Sequence, residues 1–334
     1  MITGAIDVHA HFVPPAIVER VQEIGAAMGV KVFEERPGGN ALQFDHGLRI
    51  RPFLEAILDI DTRRRTMETQ GVGCQILSVW ADLLAYGMPR AAGIAWHRLL
   101  NECLARAIDG APDRYRMMVS VPLQDAEAAA RMFEDGVRTH GAIGVVVGGH
   151  VEGVNLGDAP LDPFWATAER LGLPVFLHPG DPTPGPRFRR HGLAQSVSYT
   201  TDTSLAVGSL IGAGVLDRFP CLEIILSHGG GGVPYLAGRF DCMHQVGDRK
   251  TSGTVAEVKP SSYLRRFHYD TILHAPAPLR FLADLVGADR LLLGTDYPFP
   301  VQDHDPVATA HSIGLGAADV ARITGGNARA LFRL

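Results

Sequence analysis

A chain of 334 residues with 46% hydrophobic residues is long enough for two small domains or one large α/β barrel. Its net charge of -5 and its pI of about 6.3 give no basic footprint for nucleic acid or for an anionic membrane surface. The mean hydropathy is +0.08, no run of about 20 apolar residues occurs, and the N-terminus lacks an export pattern, so we predict a cytoplasmic protein of small-molecule chemistry. The four cysteines are widely spaced, which predicts buried thiols rather than a zinc ribbon or a disulfide framework.

Short β-branched segments alternate with longer amphipathic segments along the chain. Eight strands are predicted, at 5–12, 73–80, 116–123, 143–149, 173–180, 222–230, 266–272 and 290–298. Helical patterns separate them, at 53–70, 91–108, 126–140, 162–172, 204–219 and 277–287. This order predicts an α/β fold, a closed (β/α)8 TIM barrel, because near-continuous apolar strands must be covered on both faces.

One segment, residues 13–52, interrupts this alternation. It contains the polar runs RPGGN and FDHGLRI, and it is too long for an ordinary connection between a strand and a helix. We therefore predict a single barrel domain over residues 1–334, with a lid inserted after strand one at about 13–52.

Side chains that can bind a metal stand at the ends of four predicted strands. His9 and His11 are two residues apart at the end of strand one, so their side chains share one face. His178 ends strand five, His228 ends strand six and Asp296 ends strand eight. Catalytic groups of a (β/α)8 barrel gather at the C-terminal ends of its strands, so all five should meet at one mouth. Each residue alone could be a packed histidine or a turn-forming aspartate, but five together favour a catalytic site.

These residues resemble the amidohydrolase superfamily, through DVHAHF at 7–12, the histidines of strands five and six, and the aspartate of strand eight. More narrowly, the chain resembles the branch that contains aminocarboxymuconate semialdehyde decarboxylase. The similar segments are 51–72, 119–125, 227–241 and 294–300. The likeness spans almost the whole chain.

The resemblance implies a site with one divalent metal ion, usually zinc. The implied ligands are His9, His11, His178 and Asp296, and His228 works beside the metal as an acid or base, with Asp296 also in the catalytic group. Three neutral imidazoles and one carboxylate suit Zn²⁺ or another borderline divalent ion, and a water completes such an open site. Binuclear relatives need a bridging carboxylated lysine near strand four, and no lysine stands there in this sequence, which predicts one metal.

Two arginines are candidates for substrate binding. Arg51 stands at the close of the predicted lid, and Arg239 stands on the helix after strand six. By the resemblance both bind substrate carboxylates, one of them across the interface of a homodimer; by sequence alone each could be a solvated arginine. The chain departs from the decarboxylase at Gly180 and in the Pro- and Arg-rich segment 181–195, which leaves the exact substrate open.

The leading hypothesis is a metal-dependent, non-oxidative decarboxylase of a carboxylated muconate semialdehyde or a related ring-cleavage product. In this hypothesis metal-bound water adds to the conjugated substrate, His228 manages the protons and carbon dioxide leaves. The alternative is a hydrolase of a C–C, lactone or amide bond, or a hydratase, that acts on a similar carboxylated substrate. A metal-binding scaffold without catalysis is a third and weaker alternative, because the open metal position would have no purpose.

Overall fold

The computed structural model describes residues 2–36, 39–180, 186–246 and 253–334. In these ranges the strands are β1 (Ala5–His11), β2 (Val30–Arg36), β3 (Gly39–Phe44), β4 (Arg49–Ile50), β5 (Val72–Ser78), β6 (Tyr115–Met117), β7 (Val119–Ser120), β8 (Val145–Val147), β9 (His150–Val151), β10 (Val154–Asn155), β11 (Val175–Leu177), β12 (Ile224–Leu226), β13 (Phe267–Asp270) and β14 (Leu291–Leu292). The α-helices are α1 (Pro15–Ile24), α2 (Glu55–Leu58), α3 (Ile60–Thr69), α4 (Arg90–Ile108), α5 (Ala126–His140), α6 (Asp162–Leu171), α7 (Tyr199–Gly212), α8 (Val215–Arg218), α9 (Val233–Val246), α10 (Pro276–Val286), α11 (Pro306–Ser312), α12 (Ala317–Ala321) and α13 (Asn327–Phe332).

Eight parallel strand positions close into a barrel. The strands form two parallel sheets, one with the order β1-β5-β6 and the other with the order β14-β13-β12-β11-β8-β7. The two sheets join at the third barrel strand, which is divided at Met118 into β6 and β7. The ring closes between its first and last strands, where the Val8 amide donates to the Leu293 carbonyl at 2.9 Å and Ala10 pairs with Tyr297. The predicted (β/α)8 barrel is confirmed.

The barrel strands are apolar because both of their faces are covered. All seven residues of β1 are buried, and the three valines of Val145–Val147 are fully buried. The surrounding helices turn large apolar side chains inward, among them Trp96 of α4 and Trp165 of α6. The hydrophobic core therefore fixes the strands, and with them the positions of the side chains at their ends.

The inserted segment, residues 13–52, has secondary structure of its own. It consists of α1, a 3-10 turn and the antiparallel sheet β2-β3-β4. Leu42 and Phe44 of β3 are buried, and the Phe44 ring lies 5.3 Å from the ring of Trp96 in a T-shaped contact. The insertion thus packs against α4, while its action as a lid stays a prediction.

Two of the predicted helices are divided in the structure. The helix predicted over 53–70 forms α2 and α3, because the Asp59 side chain accepts hydrogen bonds from two amides of the next turn and starts a new helix. The helix predicted over 204–219 begins earlier, as α7, and is interrupted before α8 at Gly214, which has a φ of +65°.

The eighth strand is shorter than the predicted 290–298, because only β14 keeps regular pairing. Cys74 and Cys103 are buried as predicted, whereas the prediction was wrong for Cys221 and Cys242, which are exposed. Among the described residues, no helix has the length and apolar character needed to cross a membrane.

Candidate metal centre and its cavity

The end of β1 brings two imidazoles to one point inside the barrel. His9 and His11 are fully buried, and their Nε2 atoms lie 3.1 Å apart. Asp296 Oδ1 lies 3.2 Å from Nε2 of His9 and 3.3 Å from Nε2 of His11. With His178, the residue after β11, these side chains offer four ligand atoms that all lie within 4.8 Å of one another. The predicted strand-end residues therefore meet as a cluster that could hold a metal ion.

The second ring nitrogen of each histidine settles which nitrogen faces the centre. Nδ1 of His9 lies 2.7 Å from a carboxylate oxygen of Asp270, and Nδ1 of His178 lies 2.7 Å from the carbonyl of Pro179. Nδ1 of His11 lies 3.3 Å from the carbonyl of Val79. These oxygens accept hydrogen bonds, so each Nδ1 donates, and Nε2 is the nitrogen of each ring that can bind a metal at the centre.

The fit of a cation is also shown by a buried atom that has no partner. In the described structure Nε2 of His178 is buried and accepts no hydrogen bond from protein. An unpaired buried acceptor is costly, and the Nε2 atoms of His9, His11 and His178 together with a carboxylate oxygen of Asp296 match the ligands of a divalent transition metal. The residues present therefore fit the metal that the sequence predicted.

The acid–base properties of the cluster also favour a positive charge at its centre. Burial lowers the pKa of His178 well below its usual value, and burial lowers that of His11. Burial also lowers the pKa of His9, but the carboxylates of Asp296 and Asp270 outweigh it and raise the pKa to about 10. A metal ion would replace this proton, so metal binding should release protons.

His228 stands beside the cluster, on the cavity side. It follows β12 in a left-handed conformation with φ +54°, and its side chain is 15% exposed. Its Nε2 lies 3.6 Å from Oδ2 of Asp296. The imidazole is thus placed where it can exchange protons with a molecule in the cavity.

Asp270, at the end of β13, is a site residue that the sequence analysis missed. Besides its contact with His9, its carboxylate accepts hydrogen bonds from the amides of His228 at 2.9 Å and Gly229 at 2.8 Å. Burial raises its pKa, but the hydrogen bond from His9 and the nearby imidazoles keep the pKa below its usual value. Asp270 is not one of the candidate metal ligands, but it too stands at the end of a barrel strand.

A buried polar network lies beneath the cluster. Asp7 accepts hydrogen bonds from the Thr295 amide at 3.0 Å, the Thr295 hydroxyl at 2.6 Å and Gln75 at 2.9 Å. Arg63, which is fully buried, donates to Gln75 at 2.9 Å and to the His11 carbonyl. Burial raises the pKa of Asp7 to about 6. The network ties the first, second and eighth barrel strands together below the ligands.

The cluster opens into a cavity of about 600 Å³ at the barrel mouth. Its wall includes Arg51, Trp80 and Phe299 together with His178, His228 and Asp296. The Arg51 guanidinium lies over the rings of Trp80 and Phe299, with its carbon 4.9 Å and 5.7 Å from their centroids. No acidic partner of Arg51 occurs in the described part of the chain. Its positive charge is therefore free to bind an anion in the cavity.

Arg239 does not join this group within one chain. It is exposed on α9 and is absent from the wall of the cavity of its own chain. On the same helix Tyr235, Met243 and Val246 expose 87%, 53% and 68% of their surface. The structure thus places Arg51 on the wall of the cavity beside the cluster and leaves Arg239 on an exposed, partly apolar helix.

Comparisons with known proteins agree with this geometry. The family model described as Amidohydrolase matches residues 6–334. The chain is 28% identical to 2-amino-3-carboxymuconate-6-semialdehyde decarboxylase of Dictyostelium discoideum, over 92% of this chain and 85% of that protein. It is 32% identical to gamma-resorcylate decarboxylase of a Polaromonas strain, over 83% of this chain and 89% of that protein.

Solved structures show the same likeness. A dihydroxybenzoic acid decarboxylase from Polaromonas, with bound manganese and the inhibitor 2-nitroresorcinol, superposes with a TM-score of 0.80 at 28% identity and covers 99% of this chain and 97% of its own. A 2,6-dihydroxybenzoate decarboxylase in complex with 2,6-dihydroxybenzoate also has a TM-score of 0.80, at 26% identity, over 99% of this chain and 100% of its own.

Proposed function

This chain belongs to the amidohydrolase family, and on that premise we propose that it is a metal-dependent, non-oxidative decarboxylase of a small aromatic or conjugated carboxylate. One observation carries the proposal: the four-ligand cluster and His228 form one end of a cavity that also contains the unpaired guanidinium of Arg51. The match of the family model to residues 6–334 confirms the family membership that the sequence predicted.

The cavity suits a flat anion. The rings of Trp80 and Phe299 offer apolar faces, and Arg51 can hold a carboxylate through two parallel hydrogen bonds. Hydroxylated benzoates and carboxylated muconate semialdehydes, on which the named relatives act, both have this form. We propose this class as the substrate, with the muconate semialdehyde as its non-aromatic member.

Decarboxylation requires a proton at the carbon that loses its carboxylate. The π electrons of the substrate form the new C–H bond, the C–C bond then breaks, its electron pair restores the conjugated system and carbon dioxide leaves. His228 can hand over this proton from Nε2, and Asp296 stabilises the positive form of the imidazole from 3.6 Å. A bound divalent metal would polarise a substrate oxygen and stabilise negative charge. Arg51 orients the substrate, while Trp80 and Phe299 exclude water.

We propose one metal ion per chain, held by His9, His11, His178 and Asp296. Zinc is the ion that we propose from the donor set, because imidazole nitrogen and a single carboxylate are common zinc ligands. Manganese is present in the Polaromonas relative. Elemental analysis of the purified protein distinguishes the two ions.

We also propose a homodimer in which Arg239 of one protomer contributes to the cavity of its partner, and in which residues 13–52 cover that cavity. The support for the dimer is the exposed apolar surface of Tyr235, Met243 and Val246 beside Arg239 on α9. A patch of exposed apolar side chains on one face of a helix often marks a site of contact with another protein chain.

Product analysis tests the proposed reaction. The metal-loaded protein is incubated with gamma-resorcylate, 6-methylsalicylate and aminocarboxymuconate semialdehyde, and the products are identified by mass spectrometry. We expect one of these, or a close analogue, to lose carbon dioxide without gaining water. Products that gain the elements of water, or two fragments from one substrate, would instead support the hydratase or hydrolase alternative. Arg51→Gln should weaken the activity, chiefly by raising KM.

A further inference from the structure

Three exposed arginines stand within four residues of the chain: Arg187, Arg189 and Arg190, which we call the arginine rim. No ion pair or hydrogen bond of their side chains occurs within the described residues. Several other exposed arginines have an acidic neighbour, as Arg131 has Glu127 at 3.7 Å, whereas Arg51 and Arg239 have none among the described residues. The rim is therefore a local excess of positive charge on a protein whose net charge is -5.

The rim leads directly into the wall of the cavity. Gly192, Gln195 and Ser196, which follow it in sequence, line the cavity that contains the metal cluster. Arg190 and Gly192 are two residues apart, so their Cα atoms are separated by at most about 7 Å. The free charge of Arg51 lies in the same cavity. Unpaired positive charge thus lies close in sequence to the cavity wall and also inside the cavity, where Asp82 and Asp296 are the acidic wall residues.

We propose that the arginine rim attracts anionic substrates to the cavity and favours those with two or more negative charges. The inference rests on the proposed function, because it assumes that the cavity receives carboxylates. A charged entrance can raise the association rate by about 10-fold to 1,000-fold, and the field extends about 10 Å at 0.1 M salt. Attraction grows with the charge of the ligand, so a dianion gains more than a monoanion of the same shape.

Tryptophan fluorescence can report the arrival of a ligand. Trp80 lines the cavity, whereas Trp96 and Trp165 are fully buried away from its wall. Nitroaromatic acids quench tryptophan, so we choose 5-nitroisophthalate as the dianion and 3-nitrobenzoate as the monoanion. Their association with the metal-loaded protein is followed by stopped-flow fluorescence, and a Trp80→Phe variant verifies that the signal comes from the cavity.

Two triple variants remove the same amount of positive charge from different places, so they show whether the position of the charge matters. The rim variant carries Arg187→Gln, Arg189→Gln and Arg190→Gln. The control variant removes the same charge from the outer helices, where surface ion pairs contribute little. Its substitutions are Arg131→Gln, Arg138→Gln and Arg322→Gln.

At about 0.01 M salt the rim variant should bind the dianion about tenfold more slowly and the monoanion about threefold more slowly. The dissociation rates should change little, the control should stay within about twofold of the wild type, and the differences should vanish at about 1 M salt. The proposal would be contradicted by an unchanged association rate in the rim variant, by an equal fall of the association rate in the control variant, or by an equal fall for both anions. If neither acid quenches Trp80 in the wild type, the proposed function fails, and the rim fails with it.

Discussion

At the residue scale, the orientation of the metal-facing imidazoles depends on what their other nitrogens bind. Asp270 is central because one carboxylate fixes His9 through Nδ1 and also holds the amides of His228 and Gly229. Such partners keep a ligand in the right tautomer and raise its basicity. A residue that does not touch the metal thereby controls both a ligand and the proposed acid.

Asp270→Asn should lower metal affinity about 10-fold to 100-fold, because an amide cannot satisfy His9 and both backbone amides at once. Competition with a chelator measures the affinity. Asp305→Asn is the matched control, since Asp305 is exposed and only caps α11, a task that asparagine performs as well. Unchanged affinity in a folded Asp270→Asn protein would remove Asp270 from this role.

His228 should be needed for turnover but not for metal binding. Its φ of +54° makes asparagine a better probe than alanine, because asparagine tolerates the left-handed region. His228→Asn should keep its metal and lose about 10²- to 10⁴-fold in kcat. Loss of the metal would make His228 a ligand, and full activity would make it structural. His304→Asn, on an exposed loop, is the control.

The four candidate metal ligands and His228 could be predicted from strand topology, whereas Arg51 and Arg239 were predicted only through the resemblance. The strand-end rule did not single out Asp270, because strand seven was predicted to continue to residue 272, whereas it ends at Asp270. Arg63 was hidden for a different reason: it belongs to an RRR run that is typical of a solvated helix face. Its burial arises from long-range packing, with its guanidinium 5.0 Å from the Phe12 ring centroid and 4.6 Å from that of Tyr297.

At the element scale, the glycine-rich turn after β12 lets the chain pass close to its neighbours. Gly230 has a φ of +79°, and a Cβ on it would lie 2.6 Å from the buried ring of Tyr269. That ring is held by a hydrogen bond from its hydroxyl to the Leu264 carbonyl at 2.9 Å. The turn therefore needs glycine for both its conformation and its contacts.

Gly230→Ala should be markedly more destabilising than Gly141→Ala. Gly141 has a similar φ of +63°, but no atom lies within 4 Å of its added Cβ, so it measures the conformational cost alone, about 1–2 kcal/mol. Overpacking against Tyr269 should add about 1–3 kcal/mol to the cost at Gly230. Denaturant unfolding of the metal-loaded variants measures both. Equal costs would mean that Tyr269 moves aside freely.

The eight strand positions were predictable because each is a short apolar run between helical patterns. Helix boundaries were less predictable, because a local capping residue can start a new helix within a continuous amphipathic pattern. Asp59 interrupts one such pattern by accepting hydrogen bonds from Asp61 and Thr62 at 2.9 Å and 3.0 Å. The antiparallel sheet within residues 13–52 was not predicted, because the segment was recognised only by its length and polarity.

At the scale of the whole molecule, a single chain contains the metal cluster and Arg51, and the proposed dimer supplies Arg239. Sequence could suggest the second arginine only through resemblance. A contact between protomers depends on surface shape, which one chain's hydrophobic pattern does not encode.

Mixing two inactive proteins tests this assembly. Arg239→Ala and His228→Asn proteins should each be nearly inactive, but a mixed dimer would combine an intact His228 cavity with Arg239 from its neighbour. Random exchange should restore about a quarter of wild-type activity, because half of the dimers are mixed and each has one complete site. Absence of recovery after demonstrated exchange, or full activity of Arg239→Ala alone, would exclude Arg239 from the partner's site.

The most direct test of the central claim is a metal titration of carbon dioxide release. The protein is stripped with a chelator, and carbon dioxide and the decarboxylated product are measured together as zinc or manganese is added back. The account predicts no release without metal, a rise that saturates at one ion per chain, and one product for each carbon dioxide. Release that survives stripping, saturation at two ions per chain, or substrate consumption without carbon dioxide would contradict a decarboxylase built on a single metal ion.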